Sequence, residues 1–193
     1  MSDLIYEIKD NLPGDLCKQI IERYEEDENK FVGKISDTVD TLKKDSMDLY
    51  ITGSKWKDIE IILYNKLKIG LDQYFEYMSQ YTDSNINKFF TYYSLCDTGY
   101  QIQRYSPGGH FVWHSDFKDN GERLIAYIWY LNNVEKDDGG STEFYNGRKI
   151  QPREGTLILF PTTWVHYHRG CKLLKGCKYI ITGFINRVQC DKE

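Results

Sequence analysis

The chain has 193 residues, enough for one sizeable core and too few for several large domains. Its 25 Lys and Arg against 29 Asp and Glu leave a formal charge of -4, with neither sign gathered into a block that would track phosphates, which argues against a general nucleic-acid or anionic-membrane binder. No apolar run is long enough to cross a bilayer, the start lacks an apolar signal core, and Cys17, Cys96, Cys171, Cys177 and Cys190 are odd in number without zinc-finger spacing, so the chain reads as cytoplasmic with reduced thiols. Cys171 and Cys177 are the one pair spaced for a surface disulfide, a minority expectation.

In chain order, "LIYEIKD" alternates as a short edge strand. Pro13 then suits an early helical position, and Leu16, Ile20 and Tyr24 recur every fourth residue, predicting a helix of about three turns that ends in "EEDENK". Residues 33 to 53 show no helical period and read as a long loop with a short strand near "DLYI"; its "DTLKKDSMDLYI" stretch is a candidate for closing over a substrate. Ser54 can cap a following helix whose stripe of Trp56, Ile59, Leu63, Leu67, Leu71, Tyr74 and Met78 needs a sheet to cover.

From Phe89 onward the pattern changes. Strands are predicted in "FFTYYSLC", "YQIQRYS", "HFVWHSDF", "RLIAYIWYLN", "GSTEFYN", "GRKIQPRE", "GTLILFP", "WVHYHRG" and "KYIITGFINRV", separated by glycine-rich or charged breaks. The 16 Tyr, 9 Phe and 4 Trp, many of them here, favour pleated surfaces. So many strands without intervening helices point to a barrel or a jelly roll, so the fold expected is mostly β with N-terminal helices. The whole of 1–193 reads as one domain, with 1–88 as helical support and 89–187 as the strand-rich core.

"HFVWHSD" (110–116) carries the chemistry. On an extended strand His114 and Asp116 share a face, and "LFPTTWVHYHRG" offers a third ligand, His166 or His168, which residue period alone does not separate. Two imidazoles and one carboxylate on one side of an ion leave three adjacent positions open, as in non-haem Fe(II) oxygenases; zinc tolerates the same donors but keeps fewer open positions and has no redox change.

These segments resemble the 2-oxoglutarate and Fe(II)-dependent dioxygenases of the prolyl 4-hydroxylase type, over about Tyr100 to Phe184. "QIQRYSPGGHFVWHSDF" is similar to the family's first metal segment, "RLIAYIWYLNNVEKDDGGSTEF" to its Arg and Tyr-Leu stretch with a Gly-Gly turn, "IQPREGTLILFP" to its Pro-x-x-Gly stretch, and "HRGCKLLKGCKY" to its last segment. Lys172 and Tyr179 depart from that pattern, where the family has Pro and Trp. The resemblance implies a double-stranded β-helix (jelly roll, cupin-like) core buttressed by helices. It selects His168 beside His114 and Asp116 as metal ligands, because in the family the distal His stands ten residues before the lysine that receives the cosubstrate, and Lys178 fills that position.

The same resemblance assigns Tyr105 and Tyr130 to hydrogen bonds with 2-oxoglutarate and brings Fe(II), O2 and ascorbate as further cofactors. A dianionic cosubstrate needs a cation for its far carboxylate, which Lys178 supplies. Gly108 and Gly109 would permit the turn before the ligand strand, and Gly139 and Gly140 the turn before "STEF". Trp113 and Tyr127 are expected at the substrate side of the mouth, His110 in solvent, and the role of Arg123 stays open. The implied reaction is hydroxylation of an unactivated C–H, of a prolyl residue in a peptide or protein, with release of succinate and CO2. Alternatives are hydroxylation of a free amino acid or small metabolite, oxidative demethylation of nucleic acid, which the charge balance disfavours, and a non-catalytic metal-binding jelly roll. The partners expected are a peptide, protein or small-molecule substrate, with no nucleic acid and no membrane.

Overall fold

The structure is a computed structural model that describes residues 4–81, 94–118 and 122–188. In chain order its elements are β1 (Tyr6–Ile8), α1 (Gly14–Glu26), β2 (Phe31–Val32), β3 (Lys44–Asp45), β4 (Met47–Ile51), α2 (Lys57–Ser79), β5 (Ser94–Asp97), β6 (Tyr100–Tyr105), β7 (His110–His114), β8 (Arg123–Tyr130), β9 (Thr142–Phe144), β10 (Lys149–Ile150), β11 (Leu157–Pro161), β12 (His168–Gly170) and β13 (Lys178–Val188). Cys190 and residues 89–93 of the first predicted core strand lie outside the described residues.

The strands form two antiparallel sheets. An eight-stranded major sheet runs β1-β11-β8-β13-β6-β4-β2, with β5 also on β13, and a five-stranded minor sheet runs β10-β9-β12-β7-β3. The long β13 holds the major sheet together because its first part pairs with β6 and its last part with β5, while β8 lies along its other edge. The fold is the expected jelly roll, mostly β, with the helices against one face.

Strand alternation sorts the residues between two cores. Ile102, Trp129, Leu157 and Ile181 on the outer face of the major sheet pack with helix residues such as Ile20, Tyr24, Ile59 and Leu63. Ile128, Tyr130, Ile158 and Ile180 on the inner face pack with Phe144 and Ile150 of the minor sheet.

Helix α1 buries Cys17, Ile20 and Tyr24, and Pro13 stands at its N-cap with ψ 143°, one position outside the helix it was expected to enter. Helix α2 buries Ile59, Leu63, Leu67, Tyr74 and Met78 and packs on β1, β4 and β11. Each fully buried leucine there contributes about 1.5–3 kcal/mol by leaving water. The same stripe includes Gly70, where an added Cβ would stand 2.6 Å from Leu157 Cδ2, so a bare glycine sets how closely helix and sheet approach. Ser54 makes no side-chain cap; it opens a 3₁₀ turn, Ser54–Trp56, ahead of the helix. No helix of the described residues is long and apolar enough to cross a membrane.

The N-terminal segment is more than helical support. β1 is an edge strand on β11, as its alternation predicts, while β3 and β4 join the minor and major sheets. In the 33–53 stretch the short strand expected near "DLYI" is β4, and the loop before it reaches only to Lys43 because β3 intervenes. The second half of the stretch, expected to move over a substrate, is pinned by ladder bonds to β7 and β6.

Candidate active site

β7 and β12 are neighbours in the minor sheet, and His114 stands directly opposite His168 in their register. The ring centroids are 4.2 Å apart. Asp116 lies two residues beyond the end of β7, not on the strand, yet its carboxylate turns back to both imidazoles: Oδ1 is 3.7 Å from His114 Nε2 and Oδ2 is 3.7 Å from His168 Nε2. One ligand atom from each of the three residues lies within 4.8 Å of the others.

Backbone carbonyls fix the rings. His114 Nδ1 bonds to Val112 O at 2.9 Å and His168 Nδ1 to His166 O at 2.9 Å, which leaves each Nε2 as a free lone pair facing the carboxylate. His114 stacks on Phe111 with centroids 3.6 Å apart, and His168 is flanked by Phe144 and Phe160. Burial, reinforced by the adjacent His168, lowers the His114 pKa to about 4, so the imidazole is neutral and available as a ligand.

A first-row ion bonded at about 2.1 Å can bridge atoms up to roughly 4.2 Å apart, so the carboxylate–imidazole separations suit one ion shared by the three residues. The donor set fits Fe(II) on the remaining count as well: three protein ligands on one side leave the other positions to a chelating acid and O2. His166, expected on the same strand face as His168, is instead in a 3₁₀ turn, Trp164–His166, with Nδ1 at 2.9 Å from Thr163 Oγ1; it serves His168 through its carbonyl.

The triad opens on a cavity of about 630 Å3 between the sheets. Lys178, at the start of β13, enters it from the major sheet and is 2% exposed. Its Nζ donates to Gly140 O at 3.0 Å and lies 4.4 Å from the centroid of the Tyr105 ring, its register partner. Among the described residues no carboxylate forms an ion pair with it, and burial lowers its pKa to about 8. Gly139 and Gly140 both have left-handed backbone, φ 76° and 68°, which is how two successive carbonyls turn at this point and one of them meets the ammonium.

Tyr105 OH donates to Gln103 Oε1 at 2.7 Å, and Tyr130 OH donates to Thr142 Oγ1 at 2.7 Å. Both tyrosines are buried, but Thr142 rather than Tyr130 lines the cavity. Arg123 also lines it: its guanidinium carbon is 3.7 Å from the centroid of the Phe184 ring, and its buried Nε has no hydrogen-bond partner among the described residues. Burial lowers the Arg123 pKa, while the nearby Asp116 acts in the other direction.

Several expected placements are overturned. Trp113 is on the outer face of the minor sheet, stacked on Tyr167 at 6.0 Å with Arg169 4.9 Å from its centroid, because a strand residue next to the inward His114 must point outward. Tyr127 faces the helices, and its hydroxyl donates to Gly99 O. His110 is not simply solvated: Nδ1 lies 3.1 Å from Gly108 O and Nε2 3.1 Å from Leu42 O. The wall also holds a pair that the sequence did not reveal. Lys44 and Asp48 are 3% and 0% exposed with Nζ 2.6 Å from Oδ2, and Ser46 Oγ donates to the same carboxylate. "KKDSMDLYI" hides it, since such a charged stretch reads as loop.

A jelly roll with two imidazoles, a carboxylate and a buried lysine converging between its sheets defines the 2-His-1-carboxylate class of metal centre. Residues 100–186 match the model of the 2OG-Fe(II) oxygenase superfamily. A stretch of 59 residues, 29% of this chain, is 39% identical to procollagen-lysine,2-oxoglutarate 5-dioxygenase 1 of Mus musculus, of which it spans 8%. The fold is similar to the viral collagen prolyl hydroxylase of Paramecium Bursaria Chlorella virus-1, solved with 2-oxoglutarate (TM-score 0.70, 19% identity, 96% of this chain and 97% of that one). It is also similar to the prolyl hydroxylase of Trichoplax adhaerens, solved with a hypoxia inducible factor peptide fragment (TM-score 0.75, 17% identity, 96% and 84% covered). The matched residues, 100–186, are thus similar to the 2OG-Fe(II) oxygenase superfamily, and the fold is like that of the prolyl hydroxylases.

Proposed function

We propose that the protein is a 2-oxoglutarate- and Fe(II)-dependent dioxygenase that hydroxylates a prolyl residue of a peptide or protein. The observation that carries this reading is the convergence of His114, Asp116 and His168 beside a buried lysine that has no carboxylate partner among the described residues. Fe(II), when bound, supplies the activation of O2 and the oxidative decarboxylation of 2-oxoglutarate to succinate and CO2 that is coupled to C–H hydroxylation.

The chain's own residues do the rest. His114, Asp116 and His168 hold the ion, each imidazole locked in one tautomer by its Nδ1 bond. Lys178 receives the far carboxylate of 2-oxoglutarate in a charge-assisted bond, over the face of Tyr105. Tyr130 acts at one remove, by orienting the Thr142 hydroxyl. Phe111, Phe144 and Phe160 keep water from the two imidazoles.

Arg123, which lines the cavity, and Asn186, opposite it in the register, each carry a buried polar atom without a partner among the described residues: the donor Nε and the acceptor Oδ1. One donor and one acceptor are what a peptide group of a substrate requires. Ascorbate, as an auxiliary reductant, and a cytoplasmic location belong to the same proposal; the described cysteines, Cys17, Cys96, Cys171 and Cys177, are all free, which suits a reducing compartment.

Anaerobic titration with Fe(II) and 2-oxoglutarate should produce the weak visible charge-transfer band of a chelated ion, and aerobic incubation should yield succinate. Asp116→Ala should abolish both and leave the protein folded. Absence of band and succinate from the unaltered protein would sink the proposal, and unfolding of Asp116→Ala would show a structural metal instead.

A further inference from the structure

The segment "QIQRY" alternates, so Gln101, Gln103 and Tyr105 project from one face of β6 and line the cavity, while Ile102 between them joins the helix-side core. Residues two apart on a strand stand roughly 6.5–7 Å from each other, close enough for long polar side chains to meet. They do. Tyr105 OH donates to Gln103 Oε1 at 2.7 Å, and Gln103 Nε2 donates to Gln101 Oε1 at 2.7 Å. Tyr105 and Gln103 are 2% and 6% exposed, whereas Gln101 is partly open to solvent. The inner end of this polar row lies beside Lys178, the register partner of Tyr105.

The row has a direction. A glutamine amide carries its acceptor on one side and its donors on the other, so Gln103 receives the Tyr105 proton only while giving one of its own to Gln101. A phenol has a single proton, and burial keeps it on Tyr105. In the acid-free protein that proton goes to Gln103. A carboxylate paired with Lys178 competes for it, and when the carboxylate takes it, Gln103 Oε1 faces the phenol oxygen with no proton between them. Turning the Gln103 amide over removes the conflict, and Gln101 must then turn as well and donate to Gln103 Oε1. The other neighbour of the phenol offers no such route. Ser46 hydrogen-bonds Tyr105, but its one proton is held at 2.8 Å by the buried carboxylate of Asp48, which Lys44 pairs with at 2.6 Å.

Resting on the reading of Lys178 and Tyr105 as partners of the organic acid, we propose that Gln103 and Gln101 are positioning residues that form a reversible hydrogen-bond relay. Without the acid it runs outward from Tyr105; binding of 2-oxoglutarate reverses it, so that Gln101 donates to Gln103, Gln103 to Tyr105 and Tyr105 to the acid. Reversal keeps every buried polar group of the row satisfied, which costs less than stranding one. It also changes the far end: Gln101 has N–H groups to offer before the acid binds and a carbonyl afterwards. Gln101 thereby sets the strength of the acid's binding without touching it.

Calorimetric titration of 2-oxoglutarate into the Zn(II)-loaded full chain tests the direction. Gln101→Glu can only accept, so it holds the relay outward and should weaken the acid tenfold or more, as loss of a hydrogen bond to a charged group does. Gln101→Lys can only donate, so it holds the relay inward and should tighten the acid at least threefold. Tyr50→Glu and Tyr50→Lys put the same charges on the exposed residue opposite Gln101 in the register and should each move the affinity less than twofold. In a Tyr105→Phe background both Gln101 substitutions should lose their effect. Shifts of the same sign for the two Gln101 variants, shifts matched by the Tyr50 variants, or shifts that persist with Tyr105→Phe would each overturn the relay. In the unaltered protein the side-chain amide resonances of both Gln101 and Gln103 should move on addition of 2-oxoglutarate, and a stationary Gln101 would overturn it too. Failure of the unaltered chain to bind 2-oxoglutarate would sink the oxygenase reading and the relay with it, whereas binding with no dependence on position 101 would sink the relay alone.

Discussion

Lys178 shows what a single buried charge demands. Its pKa lies at about 8 against an ordinary 10.5, so keeping the ammonium buried costs on the order of 3 kcal/mol. The sign follows from the folded value being the lower one. Between about 8 and 10.5 the unfolded chain binds the proton that the folded chain has lost, so this residue adds stability as pH rises through that window and subtracts it below. Lys178→Met should therefore raise the denaturation midpoint of the unliganded protein while weakening 2-oxoglutarate roughly 10- to 100-fold, the worth of a charge-assisted bond. In the unaltered protein, 2-oxoglutarate affinity measured by calorimetry should fall as pH rises past about 8, where the lysine loses its charge. Lys178 and His168 were legible through the spacing of a known motif. Trp113 and Tyr127 were misplaced although alternation held the answer: once His114 faces inward, Trp113 faces outward, and Tyr127 lies between Ala126 and Ile128, both of the inner core.

The β3–β4 segment makes the same point for an element. Its buried Lys44–Asp48 pair ties the chain just after β2 to the wall of the cavity, and Gly33 closes the cluster so tightly that an added Cβ would stand 2.2 Å from Ser46 Oγ. Burial raises the Asp48 pKa and Lys44 opposes that shift, so removing the lysine leaves a carboxylate with no counter-charge. Lys44→Met should destabilise the fold by about 3–5 kcal/mol in urea unfolding, and Lys44→Met with Asp48→Leu should recover most of the loss. A destabilisation below 1 kcal/mol for the single variant would show that the pair is solvated. The helices and the long core strands were legible because period and length agree with burial. β3 was not, since two residues carry no period and only the partner strand β7 makes them a strand.

At the scale of the molecule, the two sheets meet at the ligands. The proposed metal donors come from the minor sheet and the segment that follows β7, whereas the lysine proposed to receive the organic acid comes from the major sheet. An ion and an acid bound together would thus hold one sheet to the other. Thermal unfolding should rise more with Mn(II) and 2-oxoglutarate together than the two separate increments predict, by mass action on the folded state alone. The Lys178→Met variant should keep the metal increment and lose the joint one. Equal increments in both proteins would mean that the acid does not bridge the sheets.

The pairing of His114 with His168 across one ladder would make a bound ion a reader of strand alignment. If β12 docks one position out of step, every side chain on it changes face, and Arg169 or Tyr167 arrives where an imidazole belongs. Such a chain forfeits the metal and all the stability the metal confers. A metal bound to this pair would therefore stabilise the correctly zipped sheets and not the slipped ones.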